Sequence, residues 1–519
     1  MEKTEKTTPT WKQFNRPWYQ KLGLAIWDYI KGVGLLLWSI IKAIPKKVSR
    51  FFIAIGLCFK GLWLRFKNGD WRTKTSYLIM GFGNFSRGQV LKGFLLLAIE
   101  VLYILFMVFL GGSNLAMFGS LGKVATIKVD GPDGFPVSKY VDNSLTILIF
   151  SVMAIMLTIF FVYMWILNTK IAYNTQKRVE EGKPLSTVKQ QVNFALNDGY
   201  HVTILVLPIL GILLITVLPL VCNIIVAFTN FGRVNGVNHY PPGSLFTWTG
   251  FSAFADVFGK TYGTVLWSVL GWTLVWAVFA TFTNFFFGMF LAMMINKKSI
   301  KLKAFWRVCF IVVIAVPDFV TLLMMSKFFG YSDNDSLTGP MNQILIKVFG
   351  MKHSIDFLGS KPSNYMLARV MVIVINLWRG MPFTMLATMG ILMNIPDELY
   401  ESSRIDGAGP VRRFVSITFP YIMFVMGPQL ITTFTGNINN FNVIFFLTGG
   451  GPSRILDGGA MVYSTDLLIT WLYRLTVSKS NPEYNYGAVI GIFTFLITAF
   501  FALIVFNSSK SVKQEDTFQ

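Results

Sequence analysis

Residues 401–409 read Glu401-Ser402-Ser403-Arg404-Ile405-Asp406-Gly407-Ala408-Gly409, and residues 417–420 read Ile417-Thr418-Phe419-Pro420. This polar, Gly-punctuated segment separates two apolar runs, Tyr365 to Leu392 and Tyr421 to Leu447. Each run is long enough to cross a bilayer, for which about 20 apolar residues suffice. The segment therefore predicts a short polar element at a membrane surface.

Helix-capping residues predict two short helices with a break between them. Pro396 suits a helix start, and Asp397 and Glu398 favour the positive end of a helix. Gly407 permits a stop, and Pro410 can begin the next helix. A helix-turn-helix of this kind could fit a groove on a soluble partner; a well-capped connecting loop is the alternative.

The composition predicts an all-α, polytopic membrane protein. Hydrophobic residues make up 53% of the 519 residues and charged residues 14%, against about 25% charged residues in soluble proteins. Eight apolar stretches are long enough to be spans, with boundaries good to a few residues. They are approximately Leu91–Leu110, Leu145–Ile166, Val202–Phe228, Gly263–Ile295, Ala304–Phe329, Tyr365–Leu392, Tyr421–Leu447 and Tyr486–Phe506.

The distribution of basic residues predicts the orientation. The net charge is +21, and its excess collects in alternate loops and at the N-terminus, as the positive-inside rule requires. We therefore expect both termini and the Glu401 segment to be cytoplasmic. In a membrane protein this rule accounts for the excess positive charge, so nucleic acid is not expected as a partner.

The first 90 residues are strongly basic and contain two short apolar pieces, Val33–Ile44 and Phe51–Cys58. Both are shorter than a span, so they predict amphipathic helices lying on anionic lipid at the inner leaflet. An additional hairpin through the membrane is the alternative. The sequence Gly81-Phe82-Gly83-Asn84 is interpreted as a turn, and Glu100 in the first span as a packed or interfacial residue.

Polar residues inside two spans predict a binding site, because such residues usually face a cavity or another helix. In the seventh span, helical spacing places Thr433, Gly436, Asn437 and Asn440 on one face, and Phe434 and Phe441 lie nearby. Neutral amides and hydroxyls both donate and accept hydrogen bonds, which suits a ligand rich in hydroxyl groups. Interhelical hydrogen bonding is the alternative.

The sixth span repeats this pattern with Asn376, Arg379, Gly380 and Phe383. An arginine within the membrane needs a partner or water. Arg379 could therefore bind sugar hydroxyls or a carboxylate-bearing substrate, or it could pair with Asp318 of the fifth span. Asp318 follows Pro317 and could lie near a kink in that span.

The Glu401 segment resembles the EAA loop of ABC-importer permeases. Glu401, Gly407, Ile417 and Pro420 keep the spacing of that motif, while Ser402-Ser403 replace two alanines and Phe419 replaces a leucine. With Asp406, Ala408, Gly409 and the downstream Gly449-Gly450-Gly451-Pro452, the string is closest to maltose/maltodextrin permeases of the MalF type. The resemblance covers about Tyr262 to Asn507.

This resemblance implies a type I ABC importer permease fold in a bacterial cytoplasmic membrane. It implies four further components: a second homologous permease, a cytoplasmic ATPase dimer, an extracytoplasmic sugar-binding protein and an oligosaccharide substrate. It also implies that Glu401, Ser402, Ser403, Asp406, Gly407, Ala408 and Gly409 couple the chain to the ATPase. The chain would comprise a basic region (1–90), three spans with a short external loop (91–262), a permease core (263–507) with coupling loop 396–420, and a tail (508–519).

The resemblance also implies substrate contacts from the sixth and seventh spans. Asn376, Gly380, Asn437 and Asn440 match the family pattern, and Thr433 supplies a similar hydroxyl. Phe383 replaces a tyrosine, while Arg379 and Gly436 stand in place of an aliphatic and an aromatic residue.

No cofactor, metal site or enzymatic activity is expected of this chain. Gly259-Lys260-Thr261 is only the tail of a nucleotide-binding motif, because Phe254 occupies the position of its first glycine. ATP and Mg²⁺ would belong to the partner ATPase. The alternative function is an ion-coupled secondary sugar transporter, which would leave the Glu401 segment unexplained.

Overall fold

The structure is a computed structural model. It describes Lys42, Pro45, Ser49, Arg50 and residues 52–124, 126–130, 136–234, 237–238, 245–259, 262–297, 299–456, 459–478 and 482–508. Most of the predicted Val33–Ile44 helix and of the 508–519 tail, together with Lys260-Thr261, lie outside these residues.

Helices long and apolar enough to cross a membrane number seven within the described ranges. We name them span 1 (Val90–Ala116), span 2 (Ser144–Glu180), span 3 (Thr203–Val226), span 4 (Gly263–Asn296), span 6 (Pro362–Met393), span 7 (Pro410–Ile438) and span 8 (Tyr484–Leu503). Span 5 is a pair of helices, Lys303–Ala315 and Asp318–Phe328, that meet at 95°. The expected polytopic helical fold is thereby confirmed.

Shorter elements connect the spans. The helices are residues 52–67, Trp71–Thr75, Phe82–Phe85, Val188–Leu196, Ser252–Phe258, Pro340–Lys347, Asp397–Ile405, Phe441–Leu447 and Leu468–Tyr473. π-helical turns occur at Met107–Gly111, Ile212–Val217, Phe414–Thr418 and Arg474–Ser478, and 3₁₀ turns at Asp335–Leu337 and Pro362–Asn364. Three antiparallel hairpins, which the sequence did not predict, pair β1 (Thr126–Asp130) with β2 (Pro136–Tyr140), β3 (Arg233–Val234) with β4 (Val237–Asn238), and β5 (Ser453–Ile455) with β6 (Met461–Tyr463).

Span 5 covers the predicted stretch Ala304–Phe329 but is sharply bent at Pro317, where the sequence indicated a kink. Val316 and Pro317 both have extended backbone conformations, so the helix ends at Ala315 and restarts at Asp318. The proline ring disfavours helical geometry at the residue before it, which explains the break at this position.

Span 7 also differs from its predicted limits. The helix begins at Pro410 and runs without interruption to Ile438, so Pro410 opens the span and not a separate short helix. A second helix, Phe441–Leu447, follows, with Asn440 as its N-cap. Side-chain capping by Asn440, whose Oδ1 accepts from the backbone N–H of Val443 at 3.3 Å, stabilises this new start.

The chain forms two compact units. The first comprises Met1–Ala116 and Phe150–Ile215. Within it, span 2 holds the loop before Phe82, because Nε1 of Trp165 donates to the carbonyl of Tyr77 at 2.9 Å. Asn168 donates to the carbonyl of Ser76 and accepts from the N–H of Gly81, at 2.7 and 2.9 Å.

Glu100 also has a defined partner in this unit. Its Oε2 accepts the backbone N–H of Met80 at 2.8 Å, so the carboxylate supports the same loop. Gly81 has φ +80, so the chain turns there, but Phe82, Gly83 and Asn84 of the predicted turn belong to the short helix Phe82–Phe85. In the helix at 52–67, apolar side chains including Phe52, Phe59 and Trp63 are exposed.

The second unit comprises Met117–Ile149 and Thr216–Gln519. Spans 4 and 6 pack closely at Gly288, where a Cβ atom would lie 2.6 Å from Cβ of Thr384 and 2.9 Å from the carbonyl oxygen of Met381. Small residues allow this backbone approach between membrane helices. Trp276 of span 4 is fully buried beside Val372 of span 6 and Val443.

The loop between Thr448 and Asn485, for which the sequence predicts either a receptor surface or a plain connection, packs partly inward. Trp471 is buried in the core of this unit, so it cannot contact an external partner in this arrangement. Asp466 is also buried and pairs with Arg474, whose Nε lies 3.0 Å from Oδ2. Burial raises the pKa of the Asp466 carboxyl, although Arg474 and Thr470 act in the opposite direction.

Candidate functional site

A polar cavity of about 300 Å³ lies among spans 4, 5, 6 and 7 in the second unit. Its lining residues are Thr281, Asn284, Phe285, Val313, Ile314, Asp318, Asn376, Arg379, Gly380, Phe383, Thr384, Met426, Gln429, Leu430, Thr433 and Asn437. The structure thus brings together six predicted substrate residues: Asn376, Arg379, Gly380, Phe383, Thr433 and Asn437.

Gly436 and Asn440 do not line this cavity. Gly436 is exposed elsewhere on span 7. The expectation that Asn440 shares a helical face with Thr433 and Asn437 is wrong, because span 7 ends at Ile438 and Asn440 caps the following helix. Asn440 still contacts the site indirectly, since its Nδ2 donates to Oδ1 of Asn437 at 3.3 Å.

Asn437 joins span 7 to span 4. Its Nδ2 donates to Oγ1 of Thr281 at 3.0 Å, and its carbonyl accepts from Nε1 of Trp276 at 3.1 Å. These buried contacts supply the interhelical hydrogen bonding that was the alternative for this cluster. The amide group of Asn437 therefore also fixes the wall of the cavity.

The hydroxyl groups of span 7 are bonded to their own helix. Oγ1 of Thr433 donates to the carbonyl of Gln429 at 2.9 Å, and Oγ1 of Thr432 donates to that of Pro428 at 3.1 Å. A hydroxyl that donates in this way keeps lone pairs that can accept from a ligand. Thr433 lines the cavity and is therefore suited to act as an acceptor.

Of the three aromatic residues predicted to contact a sugar, Phe383 lines the cavity, and its side chain is exposed. The other two aromatic candidates pack against protein. Phe441 stacks on Phe445 with ring centroids 4.7 Å apart, and Phe434 packs against Phe501 at 5.6 Å. Phe383 is thus the predicted aromatic residue placed to contact a sugar ring.

Asn284 of span 4 is a cavity residue that the sequence analysis missed. A Cβ atom at Gly380 would lie 2.5 Å from Nδ2 of Asn284, so the glycine makes room for this amide. The sequence did contain a sign of this role, because Asn284 is an amide inside an otherwise apolar span. Such an amide is costly unless it faces a cavity or a partner. Thr281, Asp318, Thr384 and Gln429 complete the polar lining.

The cavity contains an ion pair. Nη1 of Arg379 lies 2.6 Å from Oδ2 of Asp318, and Nη2 lies 3.4 Å from Oδ1 of Asn376. Pairing with Asp318, one of the two sequence interpretations of Arg379, is therefore present in the structure. Asp318 is the first residue after the break in span 5.

A second feature is the elbow, which we define as residues 396–409. Its helix Asp397–Ile405 starts after Pro396 and carries Asp397 and Glu398 in the first turn, as predicted. Gly407 has φ +74, a conformation that glycine adopts readily. The N–H groups of Gly407 and Ala408 close the helix by donating to the carbonyls of Arg404 and Ser403 at 3.1 and 2.9 Å.

The elbow presents a mixed surface. Glu401, Ser402, Asp406, Gly407 and Gly409 are exposed, while Ser403 and Ala408 are half-buried. Ile405 of the elbow is 88% exposed, and Val411, just beyond it in the first turn of span 7, is 76% exposed. This part of the chain therefore presents aliphatic and acidic side chains together.

The elbow is tied to span 7. The hydroxyl of Tyr400 lies 2.9 Å from Oγ1 of Thr418, in the π-helical turn near the start of that span. Because span 7 continues to Thr433 and Asn437, one helix connects the elbow to the cavity.

Known proteins resemble this chain over most of its length. The family model described as "Binding-protein-dependent transport system inner membrane component" matches residues 284–514. The galactooligosaccharides transport system permease protein GanP of Bacillus subtilis is 33% identical over 84% of this chain and 97% of its own length. The maltodextrin transport system permease protein MalC of Streptococcus pneumoniae is 31% identical over 85% of this chain and 96% of its own.

The maltose/maltodextrin transport system permease protein MalF of Photorhabdus laumondii is 35% identical over 47% of this chain and 45% of its own length. Such proteins are permease subunits and not enzymes, and they work with a substrate-binding protein. The chain belongs to this family of binding-protein-dependent inner-membrane components, as a multi-pass permease subunit of a bacterial ABC sugar importer of the MalF type.

Proposed function

We propose that this chain forms the translocation path for a short oligosaccharide, together with a second permease of its family. The observation that carries the proposal is the cavity among spans 4–7, where amides, hydroxyls and one exposed aromatic ring converge. Such a lining matches a ligand that presents hydroxyl groups and apolar ring faces.

Two classes of sugar follow from the relatives' names. GanP is named for galactooligosaccharides and MalC for maltodextrin. Maltodextrin is the first choice, because Asn376, Gly380, Thr433 and Asn437 of the MalF-like set lie together in the cavity. Galacto-oligosaccharides are the second choice, supported by the 33% identity to GanP.

The energy source would be a pair of ATPase subunits that bind the elbow from the cytoplasm. The exposed Glu401, Ile405 and Val411 offer them a surface, and the Tyr400–Thr418 hydrogen bond passes their movement to span 7. ATP and Mg²⁺ would be bound by those subunits. An external sugar-binding protein would deliver the substrate, and the basic N-terminal region would contact lipid.

Uptake in a deletion strain tests this function. Cells that lack the chain should lose uptake of labelled maltotriose or galactotriose, and a plasmid copy should restore it. Affinity purification of the chain in mild detergent should recover an ATPase and a second permease. Uptake that persists without the chain, or purification that recovers no ATPase, would overturn the proposal.

A further inference from the structure

Two ionisable residues of opposite charge line the cavity: among the described residues that form its wall, only Asp318 and Arg379 are ionisable. The 2.6 Å contact between Nη1 of Arg379 and Oδ2 of Asp318 makes the cavity electrically neutral. A negatively charged ligand would therefore have to displace Asp318 to reach Arg379.

Asp318 is placed to touch a ligand. It is the first residue of the helix Asp318–Phe328, immediately after the 95° break, and that end of a helix favours a carboxylate. Its side chain is 57% exposed, against 19% for Arg379. Within the part of the chain that the structure describes, Oδ1 of Asp318 accepts no hydrogen bond, so it is free to accept one from a hydroxyl.

Neighbouring atoms have unused hydrogen-bonding capacity. Among the described residues, Nε of Arg379, Nδ2 of Asn376 and Oδ1 of Asn284 are buried and have no hydrogen-bond partner. Leaving such groups unpaired is costly, which is why most buried polar atoms are bonded. Two donors and one acceptor beside the cavity are complementary to hydroxyl groups, which can both donate and accept.

We propose that Asp318 is a further substrate-binding residue, and that its pairing with Arg379 restricts the cavity to uncharged sugars. This inference rests on the proposed oligosaccharide function and narrows it. Asp318 would accept from one sugar hydroxyl while Arg379 donates to a neighbouring oxygen. A sugar acid is rejected because its carboxylate meets the negative charge of Asp318.

Equilibrium binding to the purified importer complex, without its external binding protein, tests the proposal. The probes are radiolabelled maltotriose, galactotriose and trigalacturonate. The variants are Asp318→Asn, Asp318→Asn combined with Arg379→Gln, and the control Asp333→Asn. Asp333 pairs with Lys361 at an exposed position outside the cavity, so its substitution should change binding of none of the probes.

We expect the wild type to bind a neutral trisaccharide and not trigalacturonate. Asp318→Asn should weaken neutral binding about tenfold or more, as expected for a lost hydrogen bond to a charged group, and should admit trigalacturonate. The double variant should lose trigalacturonate again, because Arg379 supplies the attraction.

Two results would overturn the inference and leave the proposed function intact. One is unchanged selectivity in Asp318→Asn, and the other is trigalacturonate binding by the wild type. If the wild type binds none of the three probes, the proposed function itself fails and this inference fails with it.

Discussion

The hydroxyl group of Tyr400 lies 2.9 Å from Oγ1 of Thr418 and joins the elbow helix to the beginning of span 7. Span 7 carries Gln429, Thr433 and Asn437 to the cavity. In the function proposed above, a movement of the elbow would therefore reach the cavity through this hydrogen bond and one continuous helix.

Tyr400→Phe should weaken this connection. Loss of a hydrogen bond of about 1 kcal/mol predicts a several-fold fall in sugar transported per ATP hydrolysed, with little change in the amount of protein in the membrane. The ratio of uptake to ATPase rate in proteoliposomes measures the effect. Tyr421→Phe is the control, because the hydroxyl of Tyr421 has no hydrogen bond among the described residues; equal ratios in both variants would contradict the role of Tyr400.

Gly407→Ala should impair coupling through backbone strain. Gly407 has φ +74, and nothing lies within 4 Å of a Cβ atom there. The left-handed conformation costs a residue with a side chain about 1–2 kcal/mol, so the elbow should shift and uptake should fall. Gly271→Ala is the control, since Gly271 lies inside the helix of span 4 and nothing lies within 4 Å of its added Cβ atom. A normal uptake rate for Gly407→Ala would argue against this geometry.

Gly380→Ala should damage the cavity. The added Cβ would lie 2.5 Å from Nδ2 of Asn284, and overpacking of this kind costs about 1–3 kcal/mol. We expect sugar affinity to fall by about tenfold. Gly390→Ala in the same span provides the comparison, because nothing lies within 4 Å of its added atom. Similar affinities for both variants would show that the contact between Gly380 and Asn284 does not shape the sugar-binding site.

The sequence predicted the spans because only a long apolar stretch can cross a bilayer. It predicted most of the cavity because an amide within the membrane is costly unless it faces a cavity or another helix. It located the stop at Gly407, since only special residues tolerate that backbone conformation. It marked Pro317 as the position of a kink in the fifth span, but it did not show the size of the bend, because the apolar run continues on both sides. It also misplaced Asn440, because helical periodicity assumes an unbroken helix and cannot show where an amide caps a new one.

Asn284 was harder to find from sequence. Its position in the cavity depends on the close packing of spans 4 and 6 at Gly288 and Gly380. Such packing is a tertiary property that a single helix does not reveal.

Asp70→Asn should destabilise the first unit. Oδ1 of Asp70 lies 2.6 Å from Nη2 of Arg87, whose side chain is almost fully buried, and accepts the N–H of Thr73 at 2.8 Å. Partial burial acts to raise the pKa of Asp70, but the hydrogen bonds from Thr73 and Arg87 outweigh it and hold the pKa below 3.8. Because the folded-state pKa is depressed, this stabilisation is present above the unfolded-state pKa and is lost as the pH falls through the lower folded value.

Thermal unfolding in detergent checks this prediction. The wild type should unfold at a higher temperature than Asp70→Asn near neutral pH, and the gap should close as the pH falls below about 4. Asp198→Asn, at an exposed position in the same unit, should leave the midpoint unchanged. A gap between wild type and Asp70→Asn that stays constant down to pH values well below 4 would contradict the ionic role.

Accumulation of labelled maltotriose in proteoliposomes tests the central claim most directly. That claim is that transport through this chain is powered by ATPase subunits that bind the elbow. The vesicles would contain the permease with its copurified subunits and the sugar-binding protein, with ATP supplied to the elbow side. We predict accumulation that requires ATP, persists when ion gradients are dissipated, and falls sharply in Gly407→Ala. Accumulation by the chain alone, driven by an ion gradient without ATP, would contradict the account.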